Sequence, residues 1–257
     1  MPMKIEDLLG LAIPVAFILF WGTEYLANRM GGGRAFPKVR WWVVVGTGFF
    51  LLLTAANVTA PLWLPPEWLA KHRLMDLTGL GVWWGALVAY AAISFTMYWF
   101  HRLEHRFDWA WRSMHQFHHA VERIDMGSWA IAHPLEIIVQ TALITGVAAL
   151  VLGVDPMAAA LAGTVGTIIN MVPHWNVSTP HWMGYILLRP EQHCLHHQRD
   201  VHARNYGGDF AIWDLLFGSF ENTRKFDAQV GFGRPSLGAM PAMLLFADLN
   251  GARSEKQ

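Results

Sequence analysis

The chain has 257 residues, enough for one large domain or two small ones. Hydrophobic residues make up 54% and charged residues only 15%, against roughly 25% charged in soluble domains, so a bilayer is the natural solvent. Nineteen basic and nineteen acidic residues cancel, which excludes the electrostatic footprint of a nucleic-acid binder. Cys194 is the only cysteine, so no internal disulfide forms.

A hydrocarbon core takes about 20 helical residues, and hydropathy supplies several such runs. The first extends from Leu8 to Asn28 and contains Pro14, which membrane helices tolerate. No small-residue cleavage pattern follows it, so it reads as a retained span. A loop, residues 30–38, leads to a second span, Trp41 to Ala60. The connection from Pro61 to Asp76 carries Trp63 and Trp68, residues suited to the headgroup level. The third span runs from Leu77 to Trp99. Two further apolar segments, Leu135 to Gly153 and Pro156 to Trp175, are separated only by Val154-Asp155 and read as a tight helical hairpin. From Gly238 the tail reads as a peripheral helix and a frayed end, Ser254 to Gln257.

These elements predict an all-α integral membrane bundle of about four to five spans under a histidine-rich helical cap. Residues 1–100 form the N-terminal spans, 101–237 the histidine-bearing region including the hairpin 135–175, and 238–257 the tail. The first loop carries Arg29, Arg34, Lys38 and Arg40 with no acid, which places it in the cytoplasm by the positive-inside rule. Counting spans from there puts every clustered histidine on the cytoplasmic side, in a bacterial inner membrane or, in a eukaryote, the endoplasmic reticulum.

The histidines are the anomaly. There are 13, and all but His72 fall between His101 and His202. Three clusters stand out: His101-Arg102-Leu103-Glu104-His105, His115-Gln116-Phe117-His118-His119 and His193-Cys194-Leu195-His196-His197. Residues three or four apart share a helix face, so the first cluster presents two imidazoles and the others three each. Eight imidazoles are what two metal ions need if each takes four or five protein ligands, and His174, at the return end of the hairpin, offers a ninth. Imidazole suits iron, zinc, copper and nickel alike. A lone histidine at a membrane boundary is ordinarily an interfacial anchor, and His72 reads so. Burying eight polar rings without a metal would leave many hydrogen bonds unmade. His101-x-x-Glu104-His105 also fits an inverted zinc-protease signature, but a catalytic zinc needs only three protein ligands and both H-x-x-H-H clusters would go unexplained. A zinc transporter would spread ionisable residues along its spans; here they gather at one mouth.

Between Tyr98 and Phe220 the chain resembles the fatty acid hydroxylase/sterol desaturase superfamily of membrane di-iron enzymes. The residues that carry the resemblance are Tyr98-Trp99-Phe100-His101-Arg102, Trp111-Arg112-Ser113-Met114-His115 with His118 and His119, His133-Pro134-Leu135-Glu136, and His174-Trp175-Asn176-Val177. The His193 cluster, Asn205-Tyr206-Gly207-Gly208 and Trp213-Asp214-Leu215-Leu216-Phe217-Gly218-Ser219-Phe220 complete it. The resemblance implies two iron ions held by His101, His105, His115, His118, His119, His174, His193, His196 and His197, with zinc as a substitute in purified protein. It implies O2 as co-substrate and a lipid-like substrate drawn from the bilayer, hydroxylated or, with the same centre, desaturated. With no haem or flavin segment in sight, electrons are expected from a separate donor protein; a surface bearing Arg102, Arg106, Arg112, Arg189 and Arg199 suits docking of that donor and contact with anionic lipid equally well. Outside the clusters, His133, His181 and His202 stand open as further ligands, as partners that orient a ligand ring, or as polar surface residues, His133 evenly so. Glu136, placed to accept a ring N–H from His133, and Asn176 are further candidates to orient ligand rings. His181 and His202 read more readily as supports or surface residues, and Cys194 as small packing.

Overall fold

A computed structural model describes residues 5–233 and 235–249, so the expected frayed end, 254–257, lies outside the described residues. Five stretches are long and apolar enough to cross a membrane: Leu9–Arg29, Trp42–Leu62, Thr78–Arg106, Pro134–Leu152 and Pro156–His174. They correspond to helices α1 (Ile5–Arg29), α2 (Trp42–Thr59), α4 (Gly81–Arg106), α7 (Pro134–Gly146) with a π turn at Val147–Leu152, and α8 (Pro156–Asn170). Their outer faces expose Ile18, Leu19, Val44, Leu51, Trp83 and Leu87, as lipid-facing helices do. Among the described residues there is no strand, only isolated bridges between Leu187 and Phe210 and between Gln198 and Val230.

Local chemistry sets the turns. The hairpin between α7 and α8 closes at Gly153, whose φ of 57° and close approach to the Met75 carbonyl leave no room for a side chain. Asp155 then caps α8 by accepting the N–H of Met157 at 2.8 Å, with Pro156 in the first helical turn. The connection after α2 holds a short helix, α3 (Pro66–His72), and pairs with the hairpin tip through Leu74 N–H to Leu150 O at 2.7 Å. Along the bundle, α4 packs on α8, with Gly85 against Ala158. Phe17 of α1 stacks on Phe50 of α2 at 4.3 Å.

The opposite end carries the cap. It contains α5 (Asp108–Ala110), a π turn (Trp111–His115), α6 (Gln116–His119), α9 (Pro190–His196), α10 (Ile212–Phe217) and α11 (Ser236–Met243). The expected helical cap is therefore short helices stitched by long irregular connections. Two expected boundaries also move. The third span does not stop at Trp99, since α4 continues to Arg106 and carries the first histidine cluster on its last turns. The tail is built into the cap: Met240 and Met243 are buried in one cluster with Phe117 and Trp42, and Gln116 donates to Ala247 O at 2.7 Å.

Candidate metal centre

The H-x-x-H-H spacing acquires a meaning once the helix pitch is applied. Each residue turns an α-helix by about 100°, so position i+4 lies about 40° to one side of i and i+3 about 60° to the other. A trio at i, i+3 and i+4 therefore aims two rings one way and one ring another. The structure sorts them so. His115 and His119 join His101, His105 and His196 in one group, while His118 joins His174, His193 and His197 in a second. All nine rings named from the sequence fall into these two groups. The groups touch, with His119 stacked on His197 at 4.0 Å.

Six of the nine rings are aimed by what holds the far nitrogen. His101 Nδ1 donates to Tyr206 O at 2.7 Å and His196 Nδ1 to Arg204 O at 2.6 Å. His118 Nδ1 donates to Ile131 O at 2.9 Å. His174 Nδ1 lies 3.2 Å from Ser128 Oγ, whose own proton goes to Asp125 O. His115 Nδ1 donates to Glu136 at 2.8 Å, and His119 Nδ1 faces His202 Nδ1 at 3.0 Å. With a proton on Nδ1, the Nε2 atoms carry bare lone pairs, and these point at one another. His101 and His105 approach to 3.2 Å, His119 and His196 to 3.0 Å, His174 and His193 to 2.9 Å. For a metal–imidazole bond of about 2.1 Å, adjacent ligand nitrogens sit roughly 3.0–3.4 Å apart at 90–109°.

Burial strengthens the fit to a metal. Neither nitrogen of the fully buried His197 ring has a hydrogen-bond partner among the described residues, a loss of about 1–3 kcal/mol for each unsatisfied group. Desolvation pushes His118 down to about 4. Desolvation, then neighbouring imidazoles, also holds His119, His193 and His197 well below the ordinary histidine range. These rings stay neutral, the form that ligates metals. A donor set of imidazole alone accepts iron, zinc, copper or nickel. Burial drives the Cys194 thiol up to about 12, and it packs against Ile124 and Val230, as small packing should.

A cavity of about 200 Å³ runs from the bundle to the rings. Leu53, Ile93, Met97, Ile137 and Ile144 line its apolar walls, and His101, His115, His118, His174 and His193 face it. Both groups therefore border the same space.

Several expected partners sit elsewhere. Glu136 accepts from His115, whereas His133 caps α7 by accepting the N–H of Leu135 at 3.1 Å. Asn176 does not reach a ring; it accepts from Arg34 N at 3.0 Å and donates to Arg34 O at 2.9 Å, pinning the first loop. His202 is the one outlying histidine that touches a ring of the groups. His181 lies 3.3 Å from Asn222 O, and His72 stacks on Trp68 at the far end. Arg189 is not on the surface: it is 1% exposed and bonded to Thr179, Asn222 and Glu191.

Glu104 was legible only as part of the protease-like motif. Its carboxylate is completely buried beside His115 at 3.5 Å and does not line the cavity. The available signal was a carboxylate near the end of a membrane helix, which is rare and paired by default. The later motifs also gain a cause. Asp214 takes the N–H groups of Tyr206 and Gly207 at 2.7 and 2.8 Å, fixing the carbonyl that holds His101.

Residues 86–219, which contain all nine rings, match the fatty acid hydroxylase family. Human alkylglycerol monooxygenase is 28% identical over 155 residues, 59% of this chain and 34% of that protein. An ornithine lipid hydroxylase of Rhizobium tropici is 32% identical over 133 residues, covering 50% and 39%. A cholesterol 25-hydroxylase-like protein of Danio rerio is 25% identical over 177 residues, covering 61% and 62%. The chain spans about a third of the length of the human, Danio rerio and Xenopus tropicalis alkylglycerol monooxygenases it matches. No solved structure matches it significantly.

Proposed function

Because the chain belongs to the fatty acid hydroxylase family, we propose that it is a membrane di-iron oxygenase that hydroxylates an unactivated C–H bond of a lipid or other apolar molecule. The observation that carries this reading is the convergence of nine neutral imidazoles, in two touching groups, on the end of an apolar membrane cavity. His101, His105, His115, His119 and His196 would hold one iron; His118, His174, His193 and His197 would hold the other. Irons bound there supply O2 activation and removal of a hydrogen atom from carbon. In balance, C–H, O2, two electrons and two protons yield C–OH and water, the electrons coming from a separate donor protein.

The chain's own residues prepare that chemistry. Ile93, Met97 and Ile144 line a path that takes an acyl chain or ring and leaves little room for water. Tyr206, Arg204, Ile131 and Ser128 keep the ring protons on Nδ1 and the Nε2 atoms turned inward. The catalytic unit would be residues 101–237 with its membrane hairpin. Its histidine end lies beside Arg29, Arg34, Lys38, Arg40 and Arg106, which favours a cytoplasmic face. Exposed Arg106 with half-buried Arg102, Arg112 and Arg199 offers a basic surface for the donor. The names of the relatives favour hydroxylation over desaturation. Glu104, closed off from the cavity, gives no support to a protease.

Lipid profiling of cells carrying the wild type or His118→Ala tests the proposal under 18O2. The expected result is a wild-type-dependent lipid heavier by one labelled oxygen atom. A product lighter by two hydrogens would assign the centre to desaturation, and identical profiles would overturn both.

A further inference from the structure

Just beyond α9 the backbone takes an unusual course. Asp200, His202, Arg204 and Asn205 all have positive φ, at 64°, 44°, 69° and 47°. Residues with a Cβ seldom adopt this region, and runs of them persist only where surrounding contacts over-determine the conformation. Among the described residues the other non-glycine cases, Trp41 and Phe246, occur singly.

The hydrogen bonds reveal what this conformation delivers. It turns the Arg204 carbonyl onto His196 Nδ1 at 2.6 Å and the Tyr206 carbonyl onto His101 Nδ1 at 2.7 Å. Between them it sets His202 Nδ1 3.0 Å from His119 Nδ1. Two carbonyls and one ring within residues 202–206 thus hold three imidazoles, and all three belong to the five-histidine group. The segment is clamped from outside. The Asn205 amide donates to Gln192 O and Glu221 O at 3.2 and 2.9 Å, and the His202 ring packs on Phe232 at 5.3 Å. The four-histidine group has a sparser frame. His118 and His174 lean on Ile131 and Ser128, while His193 Nδ1 and both nitrogens of His197 find no hydrogen-bond partner among the described residues.

We propose that residues 200–206 are a strained template that tightens metal binding at the five-histidine site alone, with His202 as its positioning residue. His202 accepts the Nδ1 proton of His119, which leaves His119 Nε2 free to ligate. The two sites are therefore unequal, and the five-histidine site releases its ion more slowly. The inference rests on the two-metal reading of the preceding section.

The test follows metal release from the full-length, iron-loaded protein in detergent after a chelator is added. Wild type is expected to hold two ions and lose them in two steps of one ion each. His202→Phe preserves the ring packing and removes the acceptor. It should abolish the slow step, weakening one site about 10–100-fold while the other ion leaves at the wild-type rate. His202→Asn places an acceptor where Nδ1 stood and tolerates positive φ; it should restore the slow step. Release of both wild-type ions in one step, both steps unchanged or equally accelerated in His202→Phe, or failure of His202→Asn to restore would each overturn the template. If His202→Phe does not fold, His202→Gly removes the same acceptor at a position of positive φ and carries the same expectations. A wild-type protein that holds fewer than two ions would instead sink the two-metal reading.

Discussion

Glu24 lies within the first membrane helix and is 5% exposed, and its hydrogen bonds come from backbone N–H groups of other segments. One of its oxygens accepts the N–H of Met126 at 3.0 Å and of Asn176 at 2.8 Å. It thereby ties α1 to the loop that carries Ser128 and to the residue two beyond His174. Replacing Glu24 by Ala strands two buried N–H groups, about 1–3 kcal/mol each. We expect Glu24→Ala to lower the thermal midpoint of the detergent-solubilised protein much more than Glu24→Gln, whose carbonyl oxygen accepts both bonds. Equal midpoints would show that the clamp is inert. At this scale the sequence is half readable. Eight of the nine ring positions are visible because imidazoles paired at i, i+4 or grouped at i, i+3 and i+4 are rare outside metal sites, whereas the isolated His174 shows only through its place at the end of the hairpin. The supports of the rings are not visible, because Tyr206, Arg204 and Ile131 act through carbonyls that every residue possesses. His133 misled for a related reason. A histidine before a helix-opening proline is equally placed to cap the helix or to reach a ligand, and only the path of the chain decides.

The elements divide in the same way. Long apolar runs announce α1, α2, α4, α7 and α8, since the bilayer fixes both their length and their composition. The cap hides itself: its segments are short, laden with polar side chains and held by side-chain-to-backbone bonds, so they show no periodicity. The overrun of α4 past Trp99 was masked by the charge of Arg102, Glu104 and Arg106, which ends the hydropathic signal before the helix ends. Packing between elements also shapes the cavity. Gly163 of α8 faces it, and a Cβ there meets nothing within 4 Å. Gly163→Leu should therefore fold and keep its metal but intrude on the substrate path, lowering kcat/KM by about 100-fold for a long-chain substrate. Unaltered turnover would show that the substrate takes another route. Gly46 differs, because a side chain there would strike the Gly127 carbonyl.

For the whole molecule, alternating spans place the loop 30–41, the end of α4, the hairpin mouth and the cap at one end, and α3 with the hairpin tip at the other. Sidedness can be read by labelling intact cells with a membrane-impermeant maleimide. Cys194, the sole native cysteine, is fully buried and provides a silent background. Lys71→Cys should label from outside, and Lys38→Cys only after permeabilisation; the reverse pattern would put the centre on the other face.

The claim beneath all of this is that the nine imidazoles hold a pair of metal ions, and iron content per chain measures it most directly. Protein from iron-replete cells should carry about two irons with a nitrogen-dominated X-ray absorption shell, falling toward one in both His101→Ala and His118→Ala, since each strips a different group. A wild-type content of one or less after iron loading, or two irons that persist in both variants, would contradict the account.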